Sequence, residues 1–178
     1  MPAFHRRFHR WSGTRWHEGD KCVSGEDDGD GAGFSCRPCH NGKRTMKTLL
    51  MVKPDMVRKG LWGEIIAFVL KNRFIVTRLT MVGFDKARAE RFYDVHRGKE
   101  FFPSLVEYMT SGPVVAMEIE GEDVITRIRA FVGATDPEKA QPGTVRYMFG
   151  ISLQNNAVHA SDSPESAKKE LAIVFAGP

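Results

Sequence analysis

Beyond Cys39 the sequence has no cysteine, which removes disulfide staples and thiolate metal sites from most of the chain. Nowhere does an apolar run approach the roughly 18 to 20 residues of a membrane span, so no membrane association is expected. Phosphate-cradling glycine loops are missing too. Gly42-Lys43 and Gly98-Lys99 lack both the earlier glycine and the following Ser/Thr of a P-loop, and no G-x-G-x-x-G follows the first apolar run. Histidine is scarce: of six in the chain, only His96 and His159 lie after residue 45. Any nucleotide chemistry there must do without a P-loop, and any imidazole chemistry has two candidates.

What is present is the composition of a soluble globular protein, 42% hydrophobic and 27% charged over 178 residues. That length suits one ordinary domain with an extension. The net charge of +4 fits an anionic ligand or weak nucleic-acid contact, although solubility alone would explain it. Residues 1–45 differ in kind. They hold four of the six histidines, all three cysteines, seven glycines and two of the three tryptophans. With almost no aliphatic residues they cannot bury enough apolar surface to offset ordering entropy. A boundary therefore falls near Thr45, separating a disordered or non-native extension over 1–45 from one domain over 46–178. Other readings of the extension stay open. Its opening, "MPAFHRRFHRWSGTRWH", has no acid before Glu18, as in a transit peptide, but lacks a signal peptide's apolar core. "CRPCH", Cys36 to His40, has the spacing of haem attachment, and Cys22 and His17 could join it in a zinc site.

From Met46 the pattern is regular. "KTLLMV" predicts a buried strand ending in a turn at Lys53-Pro54-Asp55. "GLWGEIIAFVLKNR" has Leu61, Ile65, Phe68 and Val69 at helical spacing, and the β-branched "FIVTRLTMVGF" predicts a second strand. Asp85 is the expected N-cap of a helix over "KARAERFYDVHRG", and Pro103 opens another. "VVAMEIEG" reads as a third strand, and "EDVITRIRAFVG" as an amphipathic helix stopped by Gly133. A long polar loop follows through Gly143, then a helix from Pro164 to about Glu170, then "LAIVF" as a closing strand. Four short strands with helices on one face predict an α+β, ferredoxin-like sandwich: a four-stranded antiparallel sheet covered by helices. A doubly wound parallel sheet fits less well, for want of βαβ repeats.

Of the two histidines, His96 stands at a helix end, where a surface role is the default. His159 lies in "NNAVHASDSPESAKKEL", after the apolar Ala157-Val158 and just ahead of a helix start. A lone histidine in such a place is more often structural than catalytic. The neighbourhood argues otherwise, since a helix N-terminus offers free N–H groups to phosphate. Glu170, near that helix's end, is placed to hold one ring nitrogen if the chain folds back. Cations for a phosphate would come from Lys53 after the first strand, Arg129 on the amphipathic helix and Arg146 after the Pro142-Gly143 turn, each of which alone is more often a solvated charge.

Four blocks carry a resemblance: "VKPDMVRKGLWGEI", "FFPSLVEYMTSGPVVAMEIEG", "GATDPEKAQPGTVR" and "NAVHASDSPESAKKE". In order and separation they resemble nucleoside diphosphate kinase across Lys47 to Phe175. That resemblance implies a ping-pong exchange in which His159 takes a phosphate from a nucleoside triphosphate and passes it to a diphosphate. It implies that Glu170 orients the ring with Ser161 steadying the carboxylate, and that Tyr93 stands near the phosphates. Lys53, Arg129, Arg146 and Thr135 become the phosphate-binding set, and Asn156 a sugar contact. Phe101 becomes the aromatic under the base, with Leu153 opposite; stacking of that kind tolerates any base. The implied cofactor is Mg2+, with Asp162 the matching carboxylate. The implied assembly is a homo-oligomer, tetramer or hexamer, in the cytoplasm; the short stretch after the last element favours the tetramer. No membrane and no nucleic-acid partner are expected.

The chain departs from the family pattern in several places. Met56 replaces the glycine of K-P-D-G and would strain a turn that needed positive φ. Ala160 replaces the glycine of H-G-S-D, adding a methyl beside the nucleophile that could slow transfer. "YMFG" replaces G-D-F after Arg146, and Asn155 stands where an arginine is frequent. All proposed catalytic side chains remain, so an active enzyme is expected. The rivals are a weakly catalytic member that binds nucleic acid through the basic extension, and a haem or zinc module joined to the kinase domain.

Overall fold

The computed structural model describes residues 45–176; the haem, zinc and targeting readings of the extension lie outside the described residues. Strands β1 (Met46–Val52), β2 (Ile75–Val82), β3 (Val114–Gly121) and β4 (Val158–Ala160) form one sheet in the order β2-β3-β1-β4. Every neighbouring pair is antiparallel, with Leu50 opposite Met117 and Met51 opposite His159. This is the expected α+β sheet.

The central strands are apolar on both faces. Leu49, Leu50, Met51 and Val52 are all 0% exposed, and alternation sends successive side chains to opposite sides. Leu50, Val52, Met117 and Ile119 pack with helices α2 (Trp62–Lys71) and α5 (Val124–Val132). Leu49, Met51, Val114 and Ala116 pack with α3 (Lys86–Phe92), α4 (Phe102–Thr110) and α7 (Pro164–Phe175). Helices thus cover both faces, correcting the one-face expectation. Each large side chain buried this way contributes about 1.5–3 kcal/mol.

The closing strand is also corrected. "LAIVF" continues α7 to Phe175, with Ile173 and Val174 buried, and the fourth strand is the three-residue run around His159. Two short helices appear where turns or loop were expected: α1 (Pro54–Arg58) and α6 (Val145–Phe149). Met56 lies within α1, 1% exposed and in the core, and is not among the residues with positive φ. No strain arises there. Helix ends follow their sequence signals. Asp85 accepts from the Arg88 N–H at 2.7 Å, and Ser163 from the Ser166 N–H at 3.0 Å. Gly133 ends α5 at φ +88°, where an added Cβ would lie 2.5 Å from Thr144 Oγ1; only glycine fits.

Candidate active site

The site is assembled at one end of β1 and β4. His159 is held in β4 by its antiparallel pairing with β1, and its ring meets the edges of Phe92 and Tyr93 at centroid distances of 5.0 and 5.9 Å. Its Nε2 lies 2.8 Å from Glu170 Oε2. That same oxygen accepts from Ser161 Oγ at 2.6 Å, and Ser161 Oγ in turn accepts from the Leu49 N–H at 3.3 Å. Ser161 is 0% exposed, so the sheet itself anchors the carboxylate. Two turns of α7 bring Glu170 back over β4, because Ser163 and Pro164 start that helix immediately after the strand. The chain does fold back as Glu170 required. Holding Nε2–H against a carboxylate leaves Nδ1 as the ring's nucleophilic nitrogen.

Lys53, 6% exposed, follows β1 directly and turns its amine to Gln154 O at 2.9 Å and Asn156 Oδ1 at 2.6 Å. Burial first, and then the Arg146 charge, push its amine down to about 8, with Asp55 opposing the shift. Asp55 accepts from Tyr108 Oη at 2.5 Å, and the Tyr108 ring lies 5.7 Å below the Lys53 amine. Asn156 also donates to Thr135 O at 2.9 Å. The segment carrying it is held by a bond from Lys53 N–H to Ala157 O at 2.9 Å. There Ala157 takes φ 68°, an unfavourable backbone state for alanine that the surrounding bonds must hold.

Arg146, 8% exposed, spends its guanidinium on Gly133 O at 2.9 Å and Val158 O at 3.2 Å. Its buried Nε and the buried Tyr93 Oη have no partner among the described residues. Two unpaired polar atoms of this kind are costly and suit a ligand. Burial lowers Arg146 to about 10, with Arg129 adding to the effect, and burial drives the Tyr93 phenol up, with Glu170 adding to it. Arg129 also acts on Asp162, an exposed carboxyl held low first by its bond to Ser166.

The structure therefore brings His159, Glu170, Ser161, Tyr93, Lys53, Arg146, Asn156 and Thr135 together. Arg129 and Asp162 stand at the exposed rim. Phe101 and Leu153 lie on separate segments, 47% and 64% exposed. Their segments are tied by Gln154 Nε2 donating to Ser104 O at 3.2 Å. His96 is the residue the sequence left on the surface. Its ring stacks on Tyr93 at 6.2 Å and meets Phe101 at 5.5 Å, filling the gap between the histidine and the exposed aromatic. Its spacing three residues after Tyr93, within a helical turn, was the available signal. Two cavities, about 450 Å³ beside Phe74 and Arg127 and about 520 Å³ beside Met81 and Phe175, contain none of these side chains. The gathered side chains lie outside both.

A family model described as nucleoside diphosphate kinase matches residues 46–177. This chain belongs to the nucleoside diphosphate kinase family. It is 48% identical over 131 residues to the nucleoside diphosphate kinase of Staphylothermus marinus, covering 74% of this chain and 93% of that relative. Identity to the Sulfolobus acidocaldarius nucleoside diphosphate kinase is 50% over 129 residues, covering 72% and 89%. Among solved structures, the Aquifex aeolicus nucleoside diphosphate kinase superposes with a TM-score of 0.72 at 45% identity, covering 75% of this chain and 97% of the other. The apo enzyme of Encephalitozoon cuniculi gives 0.71 at 31% identity, covering 74% and 90%. Membership in a family of phosphotransferases accounts for a cationic cleft built round one histidine without a P-loop.

Proposed function

We propose that this chain moves the terminal phosphate of a nucleoside triphosphate to a nucleoside diphosphate through a phosphohistidine at His159. The observation that carries the assignment to this residue is the Ser161–Glu170–His159 chain of hydrogen bonds, which engages Nε2 and leaves the Nδ1 lone pair for attack. In the first half-reaction the Nδ1 lone pair forms a bond to the terminal phosphorus while the bridging P–O bond breaks, and the electron pair leaves on the diphosphate. The ring becomes cationic, and Glu170 holds its Nε2 proton and balances that charge. In the second, a terminal oxygen of the acceptor diphosphate attacks phosphorus and the N–P bond breaks, returning neutral His159. Lys53, Arg146 and Arg129 neutralise charge on the transferring group, and the Thr135 hydroxyl donates a hydrogen bond to the phosphates. Tyr93 Oη is free to donate to a phosphate oxygen, Asn156 serves the sugar, and Phe101 and Leu153 take the base between them.

A divalent cation fits this site beside Asp162. Among the described residues no three His, Cys, Asp or Glu side chains form a cage, whereas Asp162 is exposed and kept ionised at the rim. Mg2+ carried by phosphates with few protein ligands suits that arrangement. When bound, it would neutralise phosphate charge beside Asp162.

The same reading includes a homo-oligomer, tetramer or hexamer, in the cytoplasm, where nucleoside triphosphates are made and spent. Ile75, Leu79 and Met81 are 63%, 51% and 50% exposed on the edge strand β2, the kind of edge that native proteins cover. Among the described residues no helix is long and apolar enough to cross a membrane. The direct test of the activity is ATP plus GDP with the full chain. GTP should form with wild type and be abolished in His159→Ala, while a folded His159→Ala that retains the rate would exclude this histidine.

A further inference from the structure

We propose that Gln154, tied to Ser104 across the cleft, is a positioning residue that sets the spacing between Phe101 and Leu153 and links that slot to Lys53. The proposal rests on the reading of Phe101 and Leu153 as the walls that hold the base. The segment carrying Leu153 closes on itself: the Ile151 N–H donates to Asn155 O at 2.8 Å, and the Asn155 N–H to Ser152 Oγ at 3.1 Å. Leu153 and Gln154 are left at its tip. Leu153 is 64% exposed, so packing does not hold it, and its position depends on what tethers the tip.

Two tethers are visible, and both belong to Gln154. Its carbonyl accepts from the Lys53 amine at 2.9 Å. Its side chain reaches the other wall, with Nε2 donating to Ser104 O at 3.2 Å. The Ser104 hydroxyl proton is shared between Phe101 O at 2.9 Å and Gln154 Oε1 at 3.4 Å. A continuous chain therefore runs from Phe101 through Ser104 and Gln154 to Lys53, joining the two walls to the phosphate-facing amine. Slot width and lysine position are set together, and the base is admitted to a slot that already has its spacing.

The two truncations differ usefully. Gln154→Ala cuts the side-chain tie and keeps the carbonyl toward Lys53. Ser104→Ala removes only the hydroxyl and keeps the carbonyl that accepts from Nε2. The experiment is single-turnover phosphorylation of the full chain over a range of ATP concentrations, with thermal melting of each variant as the folding control. Loss of one or two solvent-facing hydrogen bonds should raise the half-saturating ATP concentration about three- to tenfold in Gln154→Ala. The limiting rate should fall less than about twofold, a split that general damage to the site would not give. Ser104→Ala should lie between wild type and Gln154→Ala, and the double variant should match Gln154→Ala because both cut one link. Unchanged half-saturation in Gln154→Ala, a limiting rate that falls in step with it, or multiplying effects in the double variant would each overturn the proposal. Phe101→Ala separates the two readings. If it weakens ATP while Gln154→Ala does not, the positioning role alone fails; if it has no effect, the base slot fails and the positioning role with it.

Discussion

His159 and Glu170 stand eleven positions apart in the sequence and 2.8 Å apart in space, and most of the chemistry proposed for the cleft turns on that contact. A carboxylate that meets a ring turning cationic contributes about 1.5–3 kcal/mol. Glu170→Gln keeps the shape and an acceptor but removes the charge. Phosphorylation of the enzyme by ATP should therefore slow about ten- to hundredfold, read by rapid-quench kinetics; a change under twofold would mean the carboxylate only packs. Lys53 sets the pH behaviour. Its amine is held down to about 8 by burial and then by Arg146, with Asp55 opposing. It is charged below that pH and neutral above, so attraction for phosphates is lost as pH rises through it. kcat/KM, which reports the free enzyme, should decline above about pH 8. kcat should decline at higher pH, since bound phosphates favour the charged amine. Lys53→Arg should lose the decline between about pH 7 and 9 at a reduced overall rate, and a limb that persists there would assign the titration to another group.

At the scale of elements, strand alternation decides what Ala160 does. His159 faces Phe92 and Tyr93, which belong to the cluster under α3, α4 and α7. Ala160, one residue on, packs in the opposite cluster with Leu50 and Val52. Its methyl points away from the nucleophile, so the crowding expected from the sequence has no geometric basis. Ala160→Gly should cost stability, about 0.5–1 kcal/mol by denaturant titration, and change the transfer rate less than twofold. A severalfold faster Ala160→Gly would show that the methyl obstructs after all. The same strand shows where sequence legibility ends. β1, β2, β3 and helices α2 to α5 were readable from apolar runs long enough to bound, from helical spacing, or from a capping residue such as Asp85. β4 is three residues long, too short for any period. "LAIVF" is a short apolar run that suits a buried strand or a buried helical turn equally, and the helix started by Ser163 and Pro164 claimed it. The catalytic set was legible as residue types: His159 ahead of a helix start, Glu170 on that helix and the cations Lys53, Arg129 and Arg146, with the resemblance supplying the roles. That Nε2, and not Nδ1, meets Glu170 is a product of the fold. So are the roles of Ser104, Gln154 and His96, whose partners lie on other segments or carry no local signature.

For the whole molecule, the sheet's edge β2 and the cleft answer different questions. Ile75, Leu79 and Met81 leave an apolar edge that the described chain does not cover. Light scattering should give a mass near four or six times the 20.0 kDa chain, and Leu79→Lys should lower it; a monomer at micromolar concentration would contradict the assembly reading. The cleft carries the central claim: a phosphate resides on His159 between two half-reactions. The most direct measurement is mass spectrometry under conditions that keep acid-labile phosphate, first after ATP alone and then after GDP. One phosphate per chain, on His159, that is discharged to GDP with formation of an equal amount of GTP is the predicted result. A folded enzyme that makes GTP while His159 stays unmodified, or a phosphate at His159 that GDP does not remove, would contradict it.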